Sequence, residues 1–372
     1  MNILWLAWKD LGHPARGGAE VVMHELINRQ LVDGHAVTLL TAKYPDAAAK
    51  ETLANGLHVI RVGSNRFLHS AQALWYYLRH LRGKFNLIIE TVNTAPYFSL
   101  LFRGRAKGLA FYHQLARDVW FFETKAPLSY IGFFLIEPLA TWLLSRAKTP
   151  LITVSESTKQ DLARFGWPPQ RTHIISEGIG FEPVKSLSEV KKFDRPTMLS
   201  LGAMRGMKRT LDQIHAFEIA KQSVPDLQMK IAGDAYGKYG QRVLAAIRQS
   251  PYAKDIEYLG RVSEKQKQLL MQQAHVITVT SVKEGWGLIV TEAASQGTPA
   301  IVYDADGLRD SVRNHQTGMV VTPGSERLAA ATVFSLKDKT RYQAMQQAAW
   351  EWSKRMTFDK SYQDLKQAME EA

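Results

Sequence analysis

The densest run of residue types able to handle a polar ligand is Glu284-Gly285-Trp286-Gly287-Leu288-Ile289-Val290-Thr291-Glu292. Gly285 and Gly287 permit a tight backbone path. From Leu288 onward the sequence suits a helix, whose unbonded N-terminal N–H groups favour an anion such as a pyrophosphate. Glu284 stands in the loop, where a carboxylate accepts hydrogen bonds from sugar hydroxyls. Glu292, about one helical turn into that helix, comes within range of the vicinal hydroxyls of a ribose. A plainer reading stays open: two acids near a helix start, stabilised by its dipole.

Two further groups of residues fit the same chemistry. Arg205 and Lys208, in Gly202-Ala203-Met204-Arg205-Gly206-Met207-Lys208, follow an apolar run. Such a pair suits a diphosphate, Arg forking two oxygens and Lys acting as a point charge, although solvated surface cations would look alike. Arg16-Gly17-Gly18-Ala19-Glu20 opens a helical pattern after another apolar run, as a phosphate-facing loop or as an ordinary glycine turn. Neither the G-x-G-x-x-G fingerprint nor the P-loop pattern is present.

The elements that must position these residues alternate. Short β-rich runs at Ile3–Ala7, Ala36–Thr41, Leu57–Val62, Leu87–Thr91, Gly108–Tyr112 and Leu151–Val154 are separated by helical patterns beginning near Gly18, Ser70, Leu128 and Glu156. Ser155 reads as an N-cap. Gly178 to Pro196 has no firm period and marks a domain boundary. The alternation then restarts at Met198–Leu201, Met229–Ala232, Ile256–Leu259, Val276–Thr280, Ala300–Tyr303 and Met319–Val321, and helical patterns at Lys339–Lys354 and Asp359–Glu371 close the chain. The expected fold is α/β, two Rossmann-like doubly wound domains facing a central cleft. Their expected limits are residues 1–178 and 179–350, with a helix in 351–372 returning to the first. Ligands of such sheets sit at the carboxyl ends of the strands.

Glu284 and Glu292, with seven residues between them and followed by Ala293-Ala294-Ser295-Gln296-Gly297-Thr298-Pro299, resemble the EX7E motif of retaining GT-B glycosyltransferases of glycosyltransferase family 4. Gly17 and Gly18 resemble that family's N-terminal glycine loop, Arg205 and Lys208 its diphosphate pair, Gly260-Arg261-Val262 its base-proximal strand end, and His113 its active-site histidine. The chain departs from the family in having Glu177 before Gly178, where Asn is frequent, and Trp286, where Phe or Tyr is frequent. The resemblance implies transfer of a hexose from a UDP- or GDP-linked donor to a hydroxyl of a glycan or lipid-linked saccharide, with retained configuration and no metal or other cofactor. It assigns catalysis to His113, Glu284, Arg205 and Lys208. Donor contact falls to Gly17, Gly18, Arg205, Lys208, Gly233, Val262, Glu284, Gly285, Trp286, Gly287, Leu288, Ile289 and Glu292. The alternatives are a GT-B nucleotide-sugar epimerase or hydrolase, and a non-catalytic module on a membrane or nucleic acid.

Composition narrows the rest. The 372 residues include 45% hydrophobic and 10% aromatic side chains, enough to bury a core, and no cysteine. That removes disulfides, thiolate metal sites and a cysteine nucleophile. The net charge is +12, and between Thr52 and Arg117 nine basic residues face one acid, Glu90, a local +8. There the apolar residues Phe67, Ala71, Leu74, Leu78 and Leu81 recur at helical spacing. An amphipathic basic helix placing Arg66, Arg79, Arg82 and Lys84 against an anionic membrane surface is one reading, a core helix with a solvated face the other. Nucleic acid is not an expected partner. The apolar stretch Leu128–Ser145 is broken by Glu137 and Pro138 and is expected not to span a bilayer. The expected address is the cytoplasm, peripheral on the inner membrane face if the membrane reading of the basic segment holds.

Overall fold

A computed structural model of the chain describes residues 1–63, 68–93, 95–235 and 237–372. Arg66 and Phe67 lie outside the described residues. The chain forms two compact units, one of Met1–Trp120, Lys125–Gly178 and Thr357–Ala372, the other of Phe121–Thr124 and Ile179–Met356.

The first unit is built on β1 (Asn2–Leu6), α1 (Gly18–Val32), β2 (Ala36–Thr41), β3 (Lys50–Thr52), β4 (His58–Arg61), α2 (His69–Tyr76), β5 (Leu87–Val92), β6 (Lys107–Tyr112), α3 (Val119–Glu123), α4 (Leu128–Ile131), α5 (Glu137–Ser145), β7 (Leu151–Thr153), α6 (Glu156–Arg164) and β8 (Thr172–Ile174), with the end of α3 passing to the second unit. Its sheet runs β3-β4-β2-β1-β5-β6-β7-β8, parallel except for the β3–β4 pair. Strands buried on both faces must be apolar throughout, and Ile3, Leu4, Trp5 and Leu6 of β1 are fully buried. Ser155 caps α6, its hydroxyl accepting the Thr158 N–H at 3.2 Å.

The second unit has β9 (Thr197–Leu201), α7 (Thr210–Ser223), β10 (Gln228–Ala232), α8 (Gly237–Gln249), β11 (Ile256–Gly260), α9 (Glu264–Gln273), β12 (Val276–Val279), α10 (Leu288–Ser295), β13 (Ala300–Tyr303), α11 (Leu308–Ser311), β14 (Gly318–Val321), α12 (Ser325–Lys337) and α13 (Lys339–Ser353). Its all-parallel sheet, β11-β10-β9-β12-β13-β14, is a doubly wound order that reverses at β9. Cores lie on both faces, one around Phe217 and Met229, the other around Leu199, Ile277 and Ala293. The chain re-enters the first unit at Thr357, and α14 (Phe358–Glu370) packs on α1, where the Tyr362 hydroxyl donates to Asp33 at 2.9 Å.

Three sequence expectations change. Nothing in the sequence marks β3 and β8 as strands: Lys50-Glu51-Thr52 is an exposed edge without apolar alternation, and Thr172–Ile174 is only three residues long. Along α2 and the π turn that continues it at Tyr77–Leu81, the buried residues are His69, Ala73, Tyr77 and Leu81, a face offset from the expected stripe, of which Ala71 and Leu78 are exposed. Glu137 and Pro138 do not interrupt the helix from Leu128 to Ser145. A π turn at Gly132–Ile136 joins α4 to α5. In that register the Phe133 carbonyl faces Pro138, which has no N–H to give. Arg117 Nη1 donates to that carbonyl at 3.0 Å instead.

Candidate functional site

The loops at the carboxyl ends of the second unit's strands are tied to one another by backbone hydrogen bonds. Gly202 N–H donates to Ala232 O at 2.9 Å, Met204 N–H to Asp234 O at 2.8 Å, and Gly233 N–H to Gly260 O at 2.8 Å. Gly233 has φ +148°, and a Cβ there would stand 2.0 Å from Gly202 O, so only glycine fits where β9 and β10 end. The other flank is strapped as well. Val282 N–H donates to Met207 O at 2.9 Å, and Glu284 N–H to Asp306 O at 3.0 Å. The Thr280 hydroxyl donates to Lys208 O at 2.7 Å.

This lacing brings Lys208 and Glu284 together. Lys208 Nζ lies 2.5 Å from Glu284 Oε1, which also accepts the Ser281 hydroxyl at 2.7 Å. Burial pushes the Glu284 carboxyl up, but the Lys208 charge and hydrogen bond, the Ser281 hydroxyl and the Arg205 charge together outweigh it and hold it below the usual carboxylate range. Glu284 is therefore ionised at neutral pH and occupies Lys208. Arg205 is more open, its guanidinium 3.7 Å from Glu123 in the Phe121–Thr124 segment. Two cations are thus held beside a strand end by carboxylates, which a more highly charged anion can displace.

Gly287 caps α10 in the left-handed conformation, φ +91°, and gives its N-terminus no side-chain acceptor. Glu284 precedes that helix, and Glu292 lies within it, paired at 2.8 Å with Lys267 Nζ of α9. Gly285, Trp286, Leu288 and Ile289 are all partly accessible, as is Val262 beyond β11. Trp286 Nε1 is buried with no hydrogen-bond partner among the described residues.

His113, Gly17 and Gly18 belong to the first unit. His113 follows β6, and its Nδ1 lies 3.3 Å from Glu177 Oε1, both side chains being buried. A hydrogen bond there donates from Nδ1 to the carboxylate, and in the neutral ring leaves Nε2 as an acceptor. Nε2 has no partner among the described residues. Gly17 N–H donates to Glu20 at 2.5 Å and is therefore not free for a ligand. With φ −137° Gly17 needs no glycine conformation, which fits the plain-turn reading of this loop better than the phosphate-facing one.

Sequence reasoning did not single out Ser281, Glu123, Gly307 or Glu177's contact with His113. Gly307, φ +78°, lets the loop after β13 approach Glu284, and a Cβ there would meet Glu284 O at 2.2 Å. Only the Asp306-Gly307 turn dipeptide marked it. Among the described residues no group of three or more His, Asp or Glu is placed to hold a metal ion.

Residues 16–182 match the family described as Glycosyltransferase Family 4, and residues 185–352 the family Glycosyl transferases group 1. Glycogen synthase of Mycobacterium tuberculosis is 25% identical over 231 residues, which are 62% of this chain and 55% of that protein. The chain thus spans about half the length of such curated relatives. Sucrose-phosphate synthase from Thermosynechococcus elongatus superposes with TM-score 0.77 at 18% identity, covering 98% of this chain and 97% of that one. The Anabaena protein Alr3699/HepE, solved in complex with UDP-glucose, superposes with TM-score 0.74 at 16% identity over 100% of both. These structural likenesses establish the GT-B fold, two Rossmann-like α/β domains with parallel sheets.

Proposed function

The chain belongs to glycosyltransferase family 4, and on that basis we propose that it transfers a hexose from a UDP- or GDP-linked donor to a hydroxyl of a glycan or lipid-linked saccharide, with retention. The observation that carries the reading is the Lys208–Glu284 pair at laced strand ends beside the uncapped N-terminus of α10. A solved relative by fold holds UDP-glucose.

In this reading the donor diphosphate draws Lys208 away from Glu284 and is forked by Arg205, while the N-terminal N–H groups of α10 face its charge. Glu284, released from Lys208, accepts hydrogen bonds from the sugar, and Glu292 from the ribose. Val262, beyond β11, lies toward the base. His113 Nε2 accepts from a donor-sugar hydroxyl, its tautomer set by Glu177. The anomeric C–O bond to the β-phosphate breaks, and its electron pair leaves on the phosphate oxygen. The acceptor oxygen bonds to the anomeric carbon from the same face and gives its proton to that phosphate. Lys208 and Arg205 neutralise the charge that develops, without a metal. Loss of one such preorganised donor costs about 100- to 1000-fold in turnover.

A thermal-shift and calorimetric screen against UDP, GDP and ADP and their hexose conjugates, in EDTA, tests this. The expected result is stabilisation by one nucleotide family, lost in Lys208→Ala and weakened in Glu292→Ala. No binding by any of them refutes the donor site. Steady donor consumption without acceptor favours the epimerase or hydrolase instead.

A further inference from the structure

The first unit carries a surface that glycosyl transfer leaves unexplained. From Leu128 to Ser145 the chain is helical, long and apolar enough to cross a membrane by length and composition, yet only 28% of its residues are buried. Phe134 is 67% exposed, Leu135 58%, Tyr130 55%, Leu139 47% and Trp142 42%. Apolar exposure this concentrated marks an interaction surface. The helix carries one acid, Glu137, and that is turned inward, its carboxylate accepting the N–H groups of Ala116 at 2.5 Å and Arg117 at 2.9 Å. The outward face is therefore free of negative charge.

The helix runs into a basic cluster. Arg146 stacks on Trp142, its guanidinium 4.3 Å from the ring centroid, and Arg103 Nη1 donates to Ala147 O at 3.0 Å. Arg103, Arg105, Lys107 and Lys148 line one hollow of about 330 Å³ with the chain end, and Arg82 joins the first three of them in an adjoining hollow of about 590 Å³. One acid, Glu371, stands at the rim, 3.1 Å from His173 Nε2. The sequence pointed to Arg79, Arg82 and Lys84 on the basic segment. They are exposed, and of the apolar stripe expected beside them Leu81 is buried while Ala71 and Leu78 stay exposed. A larger apolar surface lies on the helix from Leu128 to Ser145.

We propose that this helix and the adjoining Arg/Lys cluster dock the protein onto an anionic phospholipid bilayer. The apolar face lies in the headgroup–acyl boundary and the cations meet lipid phosphates. Charge complementarity selects this occupant: a second copy would bring like charge to like charge, and a nucleic acid would leave the apolar face uncovered. The helix lies on the bilayer and does not cross it, because Glu137 ties it to the loop after β6, and spanning would break both of its backbone bonds inside hydrocarbon. The proposal does not depend on the donor chemistry.

The test is flotation of the full chain with phosphatidylcholine vesicles, with and without phosphatidylglycerol. Each membrane-proximal cation contributes about 1 kcal/mol, so Arg105→Glu/Lys107→Glu/Lys148→Glu is expected to lower partitioning about 100-fold or more. Phe134→Asp/Leu135→Asp is expected to abolish it. Since the chain has no cysteine, Leu135→Cys accepts a single environment-sensitive dye, whose emission is expected to shift blue on anionic vesicles alone. Circular dichroism and the nucleotide-induced thermal shift, unchanged in these variants, separate lost docking from lost folding or lost donor binding. Three results overturn the proposal: no vesicle binding, binding indifferent to lipid charge, or an unshifted dye. Sedimentation showing a dimer abolished by Phe134→Asp/Leu135→Asp, without vesicle binding, assigns the face to a second copy instead.

Discussion

Gly307→Ala tests whether the strap between the loops after β12 and β13 positions the Lys208–Glu284 pair. Gly307 has φ +78°, and a methyl there would stand 2.2 Å from Glu284 O, where ordinary contact begins at 3.4 Å. The Glu284 backbone must therefore retreat by about 1 Å, an overpacking cost of about 1–3 kcal/mol. The positive φ adds about 1–2 kcal/mol for alanine, partly offset by about 0.4–1 kcal/mol from a less flexible unfolded chain. Gly34 supplies a control of similar φ, +79°, with nothing within 4 Å of its Cβ, so Gly34→Ala reads a positive-φ cost without the clash. The expected losses are about 1 kcal/mol for Gly34→Ala and about 3 kcal/mol for Gly307→Ala, the latter lowering the second unit's melting temperature by about 6–12 °C. Differential scanning calorimetry measures both. Calorimetric titration with the nucleotide that binds the parent is expected to show affinity unchanged in Gly34→Ala and at least about 10-fold weaker in Gly307→Ala, about 1.4 kcal/mol. Equal destabilisation of the two variants, or full nucleotide affinity in Gly307→Ala, refutes the argument that this glycine sets the site.

Glu177→Gln keeps the shape beside His113 but removes the charge from the bond to Nδ1. It is expected to lower kcat/KM about 3- to 10-fold with little change in melting temperature, and imidazole nitrogen shifts are expected to show mixed tautomers; an unchanged tautomer and rate would show that Glu177 does not orient the ring. His24 and His275 are held down to about 4 from 6.5, chiefly by burial, and accept the N–H groups of Leu11 and Thr197. The unfolded chain binds these protons first, so stability is complete above pH 6.5 and falls by about 3 kcal/mol per histidine as pH drops toward 4. Denaturant titrations across that window are expected to show the fall, with the His24 share missing in His24→Gln. Lys267→Met leaves Glu292 without its 2.8 Å ion pair, and weaker nucleotide binding is expected if Lys267 holds that carboxylate in place; unchanged affinity would remove Lys267 from the site's support.

The strands were legible because parallel sheets covered on both faces demand continuous apolar runs, and Ile3–Leu6 or Ala300–Tyr303 have no other use for their side chains. β3 was not legible for the converse reason: an exposed edge strand of Lys, Glu and Thr carries no apolar period. The charged members of the site could be read because Lys208 and Glu284 stand in glycine-bearing loops after strands. What joins them could not, since Ser281, Glu123 and Gly307 act through contacts made only in the folded chain. The pair itself belongs to the topology. Lys208 follows β9 and Glu284 follows β12, and these strands are neighbours only because the chain winds outward through β10 and β11 and then crosses back. Neither loop alone specifies a 2.5 Å contact. The reversal of strand order at β9 creates it, and the same reversal opens the place at the strand ends where a ligand of this fold is held.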